Sequence, residues 1–121
     1  MEGPVPHAQL PDRLIRASIA VVPSIVLEAF GRTAVEAMAA GCALIVSRRG
    51  GLAEVVAEDT ALIAEPPTAA NIEQALERLI ASPELRRDMA ERARTSVAAR
   101  FSLRECVARH DRLRRTLGTA N

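Results

Sequence analysis

The sequence predicts an α/β fold in which about three parallel strands are flanked by helices and followed by a helical C-terminal tail. Two observations carry that prediction. Short apolar, β-branched runs at 18–22, 43–47 and 60–64 read as strands buried on both faces. The stretches between and after them have helical composition or an apolar period near 3.6 residues. Strand and helix in alternation is the pattern of a parallel sheet.

Residues 1–9, with Pro4 and Pro6, show no periodicity and read as extended chain or loop. A short helix over 11–17 has Leu14 and Ile15 as its apolar side. The first strand stops at Pro23, and 23–31 is a loop. Residues 33–40 are helical by composition and stop at Gly41, a residue type that tolerates the left-handed conformation ending many helices. After the second strand, Gly50-Gly51 breaks the chain before a short helical turn at 52–56. Pro66-Pro67 ends the third strand. The helix over 69–81 carries Ile72, Leu76, Leu79 and Ile80 on one stripe. The next begins at Ser82-Pro83, serine as cap and proline in the first helical position, and runs to about Arg100. The last starts at Ser102, whose run through Glu105 has capping-box form, and continues to about Leu117. Residues 1–121 form a single, partial domain. So few strands leave a parallel sheet incomplete: either further strands come from elsewhere, or an exposed edge invites self-association.

Composition excludes several function classes. A formal charge of +1 lacks the basic excess of nucleic-acid binders. Phe30 and Phe101 are the only aromatics, too few for a base-stacking or sugar-stacking surface. Arg104, Arg109, Arg112, Arg114 and Arg115 are interleaved with Glu105 and Asp111, with no aromatic or bulky apolar face beside them. They read as a solvated helix face, or as a contact with a missing N-terminal domain, and not as a nucleic-acid or membrane surface. Cys42 and Cys106 have no CxxC or Cys/His spacing and read as two reduced, buried thiols of a cytoplasmic protein. No basic segment precedes an apolar leader, and the longest mostly apolar stretch, 17–27, is too short to span a bilayer and contains a proline. His7 and His110 have no second ligand at metal spacing, so no metal is expected.

The chemistry is expected at the exit of the first strand, because ligands of open parallel sheets sit outside the carboxyl ends of the strands. Between Pro23 and Glu36 lie a small flexible corner, Phe30-Gly31, and two carboxylates, Glu28 and Glu36, separated by seven residues. Glycine at the corner lets backbone approach a ligand. The first helical amides, around Thr33, Ala34 and Val35, lack intrahelical acceptors and form a phosphate site. Carboxylates beside a phosphate make sense when they accept from sugar or ribose hydroxyls.

Pro23-Ser24 followed by Glu28-Ala29-Phe30-Gly31-Arg32-Thr33-Ala34-Val35-Glu36-Ala37-Met38-Ala39-Ala40-Gly41 resembles the E-x7-E signature of retaining GT-B glycosyltransferases of family 4. Gly50-Gly51-Leu52-Ala53-Glu54-Val55 is similar to that family's GG-x-x-E segment. The resemblance implies a Rossmann-like half-domain, the donor-binding part of a C-terminal GT-B domain. It implies that Glu36 accepts from the donor's ribose hydroxyls and that Glu28 is the catalytic residue, holding hydroxyls of the transferred sugar. Phe30, Gly31, Arg32, Thr33 and Ala34 would approach sugar and diphosphate. A nucleotide-sugar would be the substrate, with no cofactor and no metal.

The sequence departs from that family at Cys42, where Thr or Pro is usual, and at Ala53, where Pro is common. The family's upstream basic pair and its N-terminal acceptor domain have no counterpart, and the match begins at Gly3, as though the chain started inside a domain. The alternative reading is a truncated, non-catalytic remnant acting as a ligand-binding or interaction module. Plainer readings stand beside the sharp ones. Glu36 also fits a capping box that starts at Thr33. Glu54 reads as a helix-surface charge. Arg48 and Arg49, at a strand end, could meet phosphate but are more commonly solvated.

Overall fold

The computed structural model describes residues 3–118; Met1 and Glu2, the start of the expected N-terminal loop, lie outside them. The rest of that segment has no regular structure up to Pro6 and then forms a 3-10 turn, His7–Gln9, not expected from the sequence. The turn leads into α1 (Leu10–Arg16). There follow β1 (Ile19–Val22), α2 (Arg32–Ala40), β2 (Ala43–Val46), α3 (Leu52–Val55) and β3 (Ala61–Ile63), then α4 (Ala69–Ala81), α5 (Pro83–Arg100) and α6 (Leu103–Gly118). Each strand is slightly shorter than its apolar run because pairing stops before the side-chain pattern does.

The sheet is parallel throughout, in the order β1-β2-β3. Ile19 aligns with Ala43 in the first pair, and Leu44 with Ala61 in the second. Every residue of β2 is buried, and its alternation divides the core into two layers. Leu44 and Val46 pack with Ala34, Ala37 and Met38 of α2. Ala43 and Ile45 pack with Ala75 and Leu79 of α4. Helix α5 serves both layers, Leu85 and Met89 on the α4 side and Ala93 and Val97 on the α2 side. Both outer strands keep one side without a strand partner among the described residues.

Local stop and start signals act where the sequence places them. Gly41 ends α2 at φ +85, with its N–H bonded to Met38 O at 3.1 Å. Ser82 accepts from Leu85 N and Ser102 from Glu105 N, at 3.3 and 3.2 Å. The box at Ser102 is only half formed: the Glu105 carboxylate accepts from Arg109 and Arg112, both at 3.1 Å, instead of reaching back to the helix start.

Two expectations are corrected here. Cys42 is buried, donating weakly to Leu14 O and Ala17 O, but Cys106 is exposed on α6. Burial pushes the Cys42 thiol up. The arginines of α6 do have a bulky apolar set beside them: Leu103, Val107, Leu113 and Leu117 are all exposed. Their uneven spacing, with charged residues between, hides that set in a linear reading. No helix among the described residues is long and apolar enough to cross a membrane.

Candidate functional site

The sequence places its candidate residues in loop 23–31 and the first half of α2, and this segment leaves the carboxyl end of β1 beside the exit of β2. The β2 exit clamps the loop at two points. Ser47, fully buried, donates its hydroxyl to Ser24 O at 2.6 Å and its N–H to Val22 O at 3.3 Å. Farther on, Gly50 pairs with Glu28 in an isolated parallel bridge, and Gly51 N–H donates to Glu28 O at 2.6 Å.

These contacts give the glycine pair a role beyond breaking the chain. A Cβ on Gly50 would fall 2.3 Å from Glu28 O, and one on Gly51 2.6 Å from both Ala29 O and Phe30 Cα. Gly50 also has φ +58, a region that side chains disfavour. The backbone that carries Glu28 can lie this close to the β2 exit only because both residues lack side chains.

Glu28 is half-buried, and its Oε1 accepts from the Ser24 hydroxyl at 2.6 Å. Its main chain is thus held from β2 and its side chain from within the loop. The Phe30-Gly31 corner, expected as a flexible element, has tertiary contacts. Phe30 packs edge-to-face on Phe101, with centroids 5.5 Å apart, and the Arg100 guanidinium lies 4.8 Å from the Phe101 centroid. Arg100 also donates to Glu54 O and Val55 O, satisfying carbonyls at the end of α3. Gly31 sits at φ +88, and a Cβ there would meet Leu52 Cδ2 at 2.6 Å. Its small size serves the turn and the packing against α3.

At the start of α2, Gly31 O accepts from both Ala34 N, at 3.0 Å, and Val35 N, at 3.2 Å. Those two amides, expected from the sequence to be free, are thus engaged. The first-turn amides left over are those of Arg32 and Thr33, both exposed residues, whereas Ala34 is fully buried. Arg32 places a cation, and the helix its positive end, at the same point.

Glu36 lies one turn farther on. Its Oε1 forms an ion pair with Arg32 Nε at 3.2 Å and lies 3.4 Å from His7 Nε2, while the side chain keeps 28% exposure. The capping-box reading of Glu36 fails: Thr33 is already inside the helix, Gly31 is the N-cap, and no side chain caps this end. His7, read from the sequence as structural or solvated, is brought to Glu36 across 29 residues by the 3-10 turn. Beneath this pair a groove of about 520 Å³ runs between α1 and α2, lined by Leu10, Pro11, Leu14, Ile15, Ala39 and Ala40, with Arg94 as a further charged wall.

The remaining candidates have other surroundings. Arg48 pairs with Glu58 at 3.5 Å, and Arg49 pairs with Glu65, whose carboxylate also accepts from Arg48 N at 3.1 Å. Both guanidinium groups therefore have carboxylate partners. Glu54 is an exposed helix-surface charge. Among the described residues no group of three His, Cys, Asp or Glu side chains is placed to hold a metal ion.

A sequence model described as glycosyl transferases group 1 matches residues 1–96. The lipopolysaccharide 1,2-N-acetylglucosaminetransferase of Salmonella typhimurium is 36% identical over 109 residues, covering 85% of this chain and 28% of that protein. The solved sucrose-phosphate synthase of Thermosynechococcus elongatus superposes with a TM-score of 0.86 at 34% identity, over 99% of this chain and 30% of the other. An Anabaena protein solved with UDP shares the fold, with a TM-score of 0.81 at 22% identity over 93% of this chain and 30% of that one. In each case the chain spans less than a third of the other protein's length.

Proposed function

Because this chain belongs to the glycosyl transferases group 1 family and has the fold of a GT-B glycosyltransferase domain, we propose that it forms the donor-binding part of a retaining glycosyltransferase. The donor is a nucleotide-sugar, and its glycosyl unit passes to an acceptor hydroxyl. The observation that carries the reading is that one continuous segment leaving the carboxyl end of β1 carries Glu28, the first turn of α2 and Glu36 in succession.

Each part has a distinct chemical task. The carboxylate of Glu36 has one oxygen engaged by Arg32 and His7, and its other oxygen accepts from ribose hydroxyls. Glu28, presented by the clamped loop, accepts from hydroxyls of the sugar and is the catalytic residue of the set. The diphosphate lies over the free amides of Arg32 and Thr33, where helix dipole and guanidinium oppose its charge without a metal. Backbone at Phe30, Gly31 and Ala34 shapes that approach. A wall for the acceptor belongs to sequence outside the span shared with the relatives. Cytoplasmic location is part of the same reading and rests on the unpaired thiols Cys42 and Cys106. The open strand edges are where the rest of such an enzyme, or another copy of the chain, adds to the sheet.

Calorimetric titration of two variants tests the assignment, starting with UDP and UDP-sugars because the Anabaena neighbour was solved with UDP. Glu36→Gln is expected to weaken nucleotide and nucleotide-sugar alike, by about thirtyfold, or on the order of 2 kcal/mol. Glu28→Gln is expected to weaken the nucleotide-sugar while leaving the bare nucleoside diphosphate almost unchanged. Identical effects of the two variants on both ligands would remove the division of roles.

A further inference from the structure

Three serine-mediated or glycine-mediated contacts converge on Glu28, and one of them acts on its carboxylate directly. The Ser24 hydroxyl donates to Oε1 at 2.6 Å, within the short range of O–H to carboxylate bonds. It is the only polar partner of the Glu28 carboxylate among the described residues. The intervening Ile25, Val26 and Leu27 are 79%, 64% and 81% exposed, so the loop between the two residues is not packed into the core. Ser24 is itself anchored, because its carbonyl accepts from the buried Ser47 hydroxyl at 2.6 Å. A rigid strand end therefore sets Ser24, and Ser24 sets the carboxylate.

From this relay we infer that Ser24 is a positioning residue for Glu28: it occupies Oε1 and thereby orients Oε2 to receive a hydroxyl of the donor sugar. A carboxylate oxygen pair offers several acceptor directions, so a donor on one oxygen costs no capacity on the other. What it removes is rotamer freedom, which would otherwise be lost when the sugar binds. Ser24 touches no sugar atom in this scheme and acts only through Glu28. The inference rests on the assignment of Glu28 to the donor sugar, and the experiment below separates the two.

The 121-residue chain and its Ser24→Ala, Ser24→Thr and Glu28→Gln variants are titrated calorimetrically with UDP and with UDP-sugars. Ser24→Ala is expected to weaken the nucleotide-sugar by about five- to tenfold and UDP by less than about twofold. Ser24→Thr, which keeps the hydroxyl, is expected to return the nucleotide-sugar affinity to within about twofold of the parent. A merely structural serine would weaken both ligands together. Equal weakening by Ser24→Ala, absence of rescue by Ser24→Thr, or no effect of Ser24→Ala beside a selective Glu28→Gln each overturns the inference. A Glu28→Gln variant without selectivity overturns the donor-sugar assignment beneath it, as does a parent chain that binds no nucleotide-sugar.

Discussion

Loop 23–31 and helix α6 are held in opposite ways. The loop has no regular structure, yet β2's exit bonds it at Ser24 and Glu28, α3 packs on Gly31 and Phe101 packs on Phe30. Helix α6 is fully regular, yet of its residues from Leu103 to Leu117 only Glu105 and Ala108 are less than exposed. Ser102 caps it, Glu105 links Arg109 and Arg112, and Thr116 donates to Arg112 O, all within the helix and its cap. Regularity and rigidity are separate properties in this molecule. An irregular segment clamped from several elements can present a carboxylate accurately, while a helix that buries so little of its own surface depends on local propensity, which is marginal in isolation.

The largest expected effect falls on the clamp. Gly50→Ala puts a methyl group 2.3 Å from Glu28 O at a residue with φ +58, so the loop must leave β2. A loss of about 3 kcal/mol in unfolding free energy is expected from urea titration. A loss below about 1 kcal/mol would show that the loop yields easily and would erase the contrast with α6. A smaller change should follow from removing α6 altogether. A chain ending at Ser102 is expected to unfold within about 1 kcal/mol of the parent, because little buried surface is lost. A much larger loss would mean that α6 supports the core after all.

The smallest effect sharpens the description of α6 itself. Hydrogen bonds from Arg109 and then Arg112 hold the Glu105 carboxyl below its ordinary range. A carboxyl lowered in the folded state contributes stability above its unfolded value, and that contribution disappears as pH falls through the lowered one. Helical circular dichroism is therefore expected to decline modestly below the ordinary carboxylate range of about 4. The Glu105→Gln variant should lack that component of the decline. Superimposable acid titrations of parent and variant would show that the two arginine contacts do not stabilise the helix.

The parts of the fold legible in the sequence are those written locally. β-Branched runs gave the strands, Gly41 and Ser82 marked helix ends, and one contiguous segment carried Glu28, the α2 start and Glu36. The illegible parts are contacts between distant segments. Nothing near His7 announces Glu36, nothing near Phe30 announces Phe101, and the closeness of Gly50 to Glu28 exists only once β1 and β2 are paired. The capping-box error at Thr33 has a local cause: glycine at φ +88 can take the N-cap position with no side-chain signature, so the helix begins earlier than its composition suggests. Cys106 was misplaced because a thiol on a solvated helix looks no different, in sequence, from one in a core.

The clamp also imposes an order on synthesis. When β1 and its loop leave the ribosome, Ser47, which must bond Ser24 from 23 residues downstream, has not yet been made, and neither has the glycine pair. The loop therefore emerges shapeless and is moulded only after β2 has followed it out. Phe101, which seats Phe30, arrives later still, at the end of α5. The corner is completed backwards, its earliest residues waiting for the latest, so a nascent chain paused between β2 and α5 would hold Glu28 in place before the ring beside it had a seat.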